Sequence, residues 1–234
     1  MLIIEINQKT YNLPLNWTEI TIKETAELHV VVKSIPVCLK NSYFKKQKLK
    51  VADIENECIP FYKSIIKQLT KCEDLDKTNT CDIIAIYKRF CEWMVKDLLG
   101  QPEAFLEIES FDFDGETFLI PESKVIMNEI RIGHKLSTIQ FTECADLIKY
   151  SETIPEGIPG IISNVMSILC LKKDEMYIEE VSLLRAEKFK QLPMSTGYSV
   201  FFSFIKSMNK FLEDLKTLTN IQELEAKLLQ KNPV

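Results

Sequence analysis

The sequence predicts a helix-dominated α+β fold made by internal duplication of a β-hairpin followed by packed helices. Three observations predict it. Asp114-Gly115 lies between two short apolar runs, Phe111–Phe113 and Thr117–Ile120. A two-residue hairpin turn needs positive φ, which Asp-Gly supplies. The N-terminus repeats this stretch: Ile4 to Pro14 sets against Phe111 to Pro121 at one offset (111 − 4 = 121 − 14 = 107), with Thr10 on Thr117 and Tyr11 on Phe118. Further on, Ile59-Pro60 precedes the apolar run Phe61–Leu69, and Ile158-Pro159 precedes Ile161–Leu171. A matched order of strand, turn, strand, proline, helix, Ile-Pro and helix points to a repeat. It divides the chain into a hairpin-plus-helices half at 1–105 and a second at 106–234 that ends in a long helix.

Taken in order, Leu2–Ile6 and Thr10–Leu13 alternate as strands around Asn7-Gln8-Lys9. Thr21 and Glu24 have the spacing of a capping box, so a helix is expected from Ile22 to Lys33, ended by Pro36. Asp53 is expected to open a helix toward Leu69, and Glu73–Thr80 to be a polar loop. Asp82–Leu99 carries Ile83, Ile86, Tyr87, Phe90, Met94 and Leu98 at helical spacing, with Gly100 and Pro102 as the stop. In the second half, Ile139–Leu147 aligns with Ile20–Leu28 at an offset of 119 (139 − 20), twelve more than the hairpins (119 − 107). The extra residues fall in Glu122–Lys135, where Val125–Ile132 reads as an added strand or extended loop, and Thr142 is the expected cap of the next helix. Ser151–Gly160 is turn-rich, and Ile161–Leu171 should be the most buried element. Glu179–Gln191 is expected to turn Val181, Leu184, Phe189 and Leu192 inward. Ser195–Leu218 reads as one helix with Val200, Phe201, Phe204, Met208, Phe211, Leu212 and Leu215 on a stripe, and Ile221–Leu229 as a short one.

Composition narrows the function classes. Of the 234 residues, 46% are apolar and 27% charged, an ordinary globular profile. Acids outnumber bases 34 to 29, so charge gives no reason to expect nucleic-acid binding. No run reaches the roughly 18 apolar residues of a membrane span, and no signal peptide opens the chain; a cytoplasmic protein is expected. The seven cysteines form no CxxC and have only His29 and His134 beside them, so no metal site is expected and the thiols read as buried or half-buried.

No catalytic constellation is expected. GxSxG, the P-loop, GxGxxG and HExxH motifs are missing from the sequence. His29 and His134 lack an acid or serine at a fixed offset, and Asp112, Asp114, Glu107 and Glu109 read as exposed strand or turn acids. No cofactor is implied. The expected contact residues are aromatic: Phe202 lies off the Phe201–Phe204–Met208 stripe, Tyr198 sits one turn before it, and Tyr43 and Phe44 adjoin Lys45, Lys46, Lys48 and Lys50. The C-terminal helix, with Phe202 as anchor, ranks first among docking surfaces, ahead of the lysine segment and the hairpin edges.

The second half carries a series of further markers: the hairpin Phe111–Phe118, the apolar run with Ile168-Leu169-Cys170-Leu171, Tyr177, Arg185-Ala186-Glu187-Lys188-Phe189, Leu192-Pro193-Met194 and Phe201-Phe202. Together these resemble small structural proteins of tailed bacteriophages, grouped with tail or baseplate assembly proteins. The resemblance spans Phe111–Phe211 and, more faintly, Met1–Leu28. It implies non-catalytic work through contacts with other phage structural proteins and with further copies of itself, without nucleic acid or membrane, in the host cytoplasm during assembly or in the virion. A host-directed adaptor or inhibitor, and a small cytoplasmic enzyme, are the alternatives.

Overall fold

Two hairpins with the same turn and the same register open the two halves. In chain order the first half contains β1 (Leu2–Ile6), β2 (Lys9–Leu13), α1 (Ile22–Val32), α2 (Val37–Lys45), α3 (Val51–Asp53), α4 (Ile59–Thr70), α5 (Thr80–Ile86) and α6 (Glu92–Leu99). The second contains β3 (Ser110–Phe113), β4 (Glu116–Leu119), β5 (Ser123–Ile126), β6 (Glu129–Ile132), α7 (Thr138–Ser151), α8 (Gly157–Leu169), α9 (Glu179–Phe189) and α10, over 194–206. This computed structural model describes residues 1–73, 75–99, 108–120, 123–126, 129–132, 137–206, 208–209 and 213. Gly100, Pro102, Glu107, His134, Phe211, Leu212, Leu215 and the expected helix Ile221–Leu229 lie outside the described residues. The architecture is the expected helix-dominated α+β, with strands confined among the described residues to two-stranded antiparallel sheets.

The hairpins share their geometry. Asn7 and Gln8 have φ of 51° and 64°, and Asp114 and Gly115 have 57° and 77°, the two positive values of a type I′ turn. Ile4 pairs with Tyr11 and Phe111 with Phe118; Ile3 pairs with Asn12 and Ser110 with Leu119. Each pair maps on the other at the offset of 107 (111 − 4 = 118 − 11). The inserted segment is a third hairpin, β5 with β6, rather than a single strand.

Both helices that follow have capping boxes. The Thr21 hydroxyl accepts from Glu24 N–H at 3.2 Å, while the Glu24 carboxylate accepts from Thr21 N–H at 2.9 Å. Ser137 and Gln140 do the same at 3.2 and 3.0 Å. This corrects the expected cap at Thr142, which lies inside α7. Matching cap to cap gives an offset of 116 (137 − 21) and an insertion of nine residues (116 − 107) rather than twelve. The three-residue error is close to one helical turn, so it leaves the inward face unchanged.

The Ile-Pro helices follow in both halves, and in each the capped helix packs on its Ile-Pro partner, α1 on α4 and α7 on α8. Strand β2 lies against α4, and β4 is bound past the end of α8, where Leu119 N–H donates to Leu171 O at 2.9 Å. α8 begins earlier than expected, at Gly157, and ends at Leu169, with Cys170 and Leu171 extended. Among the described helices it is the most covered, because α1, α7 and α9 all pack on it.

Two helices read as uninterrupted contain π turns, at Ile54–Cys58 before α4 and at Tyr87–Cys91 between α5 and α6. A π turn inserts a residue into the helical register. The buried stripe therefore runs Ile83, Tyr87, Cys91, Met94 and Val95, which leaves Phe90 and Leu98 only half-buried. The first of these helices starts at Val51, not Asp53; the Asp53 carboxylate accepts from Lys50 N–H at 3.4 Å.

One core joins the halves. α1 crosses onto α8, Ile22 N–H donates to Leu192 O at 2.9 Å, and Met194 N–H donates to Ile20 O at 2.8 Å. Gly197 permits this junction: a Cβ there would stand 2.8 Å from Ile162 Cγ2 and 3.0 Å from Ile22 Cδ1.

Candidate functional site

α9 is amphipathic in the inverted sense. Its buried residues are Ser182, Arg185, Ala186 and Phe189, an i, i+3, i+4, i+7 set facing α8 and the second hairpin. Phe189 meets the rings of Phe111, Phe113 and Phe118 edge-on at 5.1–5.6 Å between centroids. Ser182 Oγ lies 3.0 Å from Ser167 Oγ on α8. The Arg185 guanidinium pairs with the Glu175 carboxylate, donates to Cys170 O at 3.3 Å and lies 5.2 Å above the Phe118 ring. A guanidinium so placed is satisfied on its charged, donor and planar faces together.

The consequence is on the other side. Leu183 and Leu184 are 62% and 73% exposed, and Val181, Ile178 and Met176 are exposed with them. The inward assignment of Val181 and Leu184 is thus corrected: the Arg185 pairing and the Phe189 cluster fix the rotation of α9 and turn the leucines out. Leu192, beyond the helix, is buried as expected. Isolated exposed leucines are common, but here five exposed apolar side chains fall within nine residues (176 to 184), Leu183 on the flank toward α7 and Val181 and Leu184 on the flank toward the second hairpin.

The four expected contact aromatics fall in different places. Tyr198 is only 4% exposed, with its ring against Trp17 at 5.5 Å, so it belongs to the interior. Phe202 is half-buried, packed on Tyr198 and Phe201 at 5.7 and 5.5 Å, and is not a projecting anchor. The reason is that α10 is covered on more than its Phe201–Phe204 stripe. Tyr43 is half-buried; its hydroxyl lies 2.7 Å from that of Tyr87, and Lys96 Nζ sits 4.9 Å from its ring centroid. Phe44 is 54% exposed.

Several interior hydroxyls and thiols lie against one another. Tyr62 and Tyr87 stack at 3.8 Å, and Cys38 Sγ lies 3.8 Å from Cys58 Sγ. Burial pushes the Cys58 and Cys91 thiols up to about 12 and raises Tyr43, Tyr62 and Tyr87 further. A thiol so raised is held in its protonated, weakly nucleophilic form at neutral pH. Cysteines 58, 72, 91, 144 and 170 are buried and Cys38 half-buried, whereas Cys81 is exposed, at the open start of α5, against expectation. His29 Nδ1 lies 3.3 Å from Pro155 O across the halves, and burial lowers its pKa. Asp112 accepts from the Thr117 hydroxyl at 2.6 Å, Asp114 approaches Lys188 at 3.7 Å, and Glu109 is exposed. Among the described residues, no group of three His, Cys, Asp or Glu side chains is placed to hold a metal ion, and no helix is long and apolar enough to cross a membrane. No protein-family model matches the chain, and no curated protein or solved structure does either.

Proposed function

We propose that the chain works by binding other proteins, as a structural component or assembly factor of a tailed-phage particle. The observation that carries the binding role is the inverted face of α9, which presents leucines to solvent while a buried arginine faces the core. Burying such a patch against a partner contributes about 25 cal/mol per Å² of apolar area. The phage assignment rests on the sequence markers from Phe111 to Phe202, several of which lie at this face and its supports: Tyr177, Arg185 and Phe189. The test is co-purification with particle proteins from infected cells. The wild-type chain is expected to bring down a structural protein. Leu184→Asp combined with Met176→Asp is expected to lose it without a change in melting temperature, since both side chains already stand in water. Retention by the double variant overturns the α9 contact, and co-purification with host proteins alone overturns the assembly role.

A further inference from the structure

We infer that this chain associates with itself head to tail, one copy's lysine segment docking in the next copy's groove between α7 and α9. The inference rests on the protein-contact reading above and names a partner for that region. The groove, of about 330 Å³, lies over α8. Leu147, Ile168 and Leu183 give it an apolar lining, and the charged side chains among the described residues that line it are Glu143, Asp146 and Glu179. Glu143 accepts from the Tyr177 hydroxyl, whereas Asp146 and Glu179 are exposed to solvent. An apolar slot edged by carboxylates suits a segment that presents an apolar side chain flanked by ammonium groups.

The chain carries such a segment in its other half. Phe44 is exposed in the last turn of α2, Lys45 ends that helix, Lys46, Lys48 and Lys50 follow, and Val51 is exposed at the start of α3. Between Lys46 and Lys50 the backbone belongs to neither helix nor strand; Leu49 packs on the core, and residues 44–48 stand exposed, open to a groove without unfolding an element. In a chain of net charge −5 this concentration of lysines is local; Asp53 lies at its end, where it accepts from Lys50 N–H, and the carboxylates that edge an apolar slot lie on α7 and α9. The two patches are different surfaces. Their contact is therefore heterologous: each docked copy still offers a free groove at one end and a free segment at the other, and growth continues into a ring or a filament.

Sedimentation velocity of the full chain across a concentration series tests this. Species beyond the dimer are expected to appear with concentration and to fall away in high salt, because exposed charges are screened. Asp146→Lys with Glu179→Lys, and separately Lys45→Glu with Lys46→Glu and Lys48→Glu, are each expected to weaken association by about tenfold or more. Mixing the two variants is expected to restore it, since the reversed groove meets the reversed segment and the native groove meets the native segment. Phe44→Ala is expected to weaken association at every salt concentration. A chain that stays monomeric throughout, or oligomers indifferent to both reversals, overturns the head-to-tail contact. A monomeric chain that still brings down particle proteins through Leu184 leaves the contact role standing and removes only the self-contact.

Discussion

The first and second halves share their beginnings and differ in what their helices bury. Turn type, strand register, capping box and Ile-Pro helix recur in order, and these are local features, each fixed by a few neighbouring residues. The helices then diverge. α4 buries one face, with Phe61, Tyr62, Ile65 and Ile66 inward and Lys67 outward. α8 is buried nearly all round, because it receives α1 from the first half as well as α7 and α9 from its own. The local rules thus recur in both halves, while the packing partners decide which faces stay wet. α9 sits at the margin of that crowd, with Ser182, Arg185, Ala186 and Phe189 engaged and Val181, Leu183 and Leu184 exposed.

The largest expected effect lies where the second half differs most. Phe189 is fully buried among three phenylalanines of its hairpin, a ring cluster that has no counterpart in the first hairpin, whose Ile4 and Tyr11 stand at the positions of Phe111 and Phe118. Phe189→Ala is expected to lower unfolding free energy by about 3–5 kcal/mol, read from the urea midpoint. A loss under about 1 kcal/mol would mean that the second hairpin is not anchored through α9.

The same comparison explains what the sequence makes legible. Asp-Gly and the Ile-Pro steps encode local geometry and appear where expected; Pro121 lies outside the described residues. The cap of α7 was misplaced because Thr142-Glu143 and Ser137-Thr138-Ile139-Gln140 both satisfy local capping rules. What separates them is the Gln140 side-chain amide, which donates to Ile168 O at 2.7 Å, a contact 28 residues away. The π turns were invisible because one inserted residue leaves the apolar spacing plausible in either register. α9 turns differently from its spacing for a related reason: its apolar residues outnumber the positions its neighbours cover. Only Glu175, Cys170 and Phe118, met in space, show that Arg185 faces inward. Of the site, Phe44 beside its lysines was readable as exposed. Tyr198 and Phe202 were not readable as covered, because Trp17 comes to Tyr198 from the other half.

A medium effect tests how the halves meet. Gly197→Ala places a methyl group within 3.0 Å of side chains on α1 and α8, so it should cost about 1–3 kcal/mol by overpacking, although alanine ordinarily favours a helix. Stabilisation by this change, seen as a raised melting temperature, would show that the halves are less closely joined. A smaller effect tests the duplication itself. Thr21→Ala and Ser137→Ala each remove the hydroxyl of a capping box and should each cost about 1 kcal/mol. Thr142→Ala, inside α7, should not show that capping loss. A larger penalty at Thr142 than at Ser137 would restore the twelve-residue insertion and move the repeat boundary.

The smallest expected change discriminates most sharply at α9. Leu184→Ser replaces a side chain that is 73% exposed, so stability should move by no more than about 0.5 kcal/mol. If Leu184 faced the core, as its spacing from Val181 suggests, the same truncation would cost about 2–5 kcal/mol. The reciprocal change, Ser182→Leu, adds bulk to a buried position and removes the hydroxyl that meets Ser167, and should cost about 1–3 kcal/mol. On an ordinary amphipathic helix the polar-to-leucine change would be the tolerated one. Paired urea melts therefore give opposite rankings for the two orientations. A milder loss for Ser182→Leu than for Leu184→Ser would rotate α9, withdraw its leucines from solvent and remove the surface on which the proposed contacts depend.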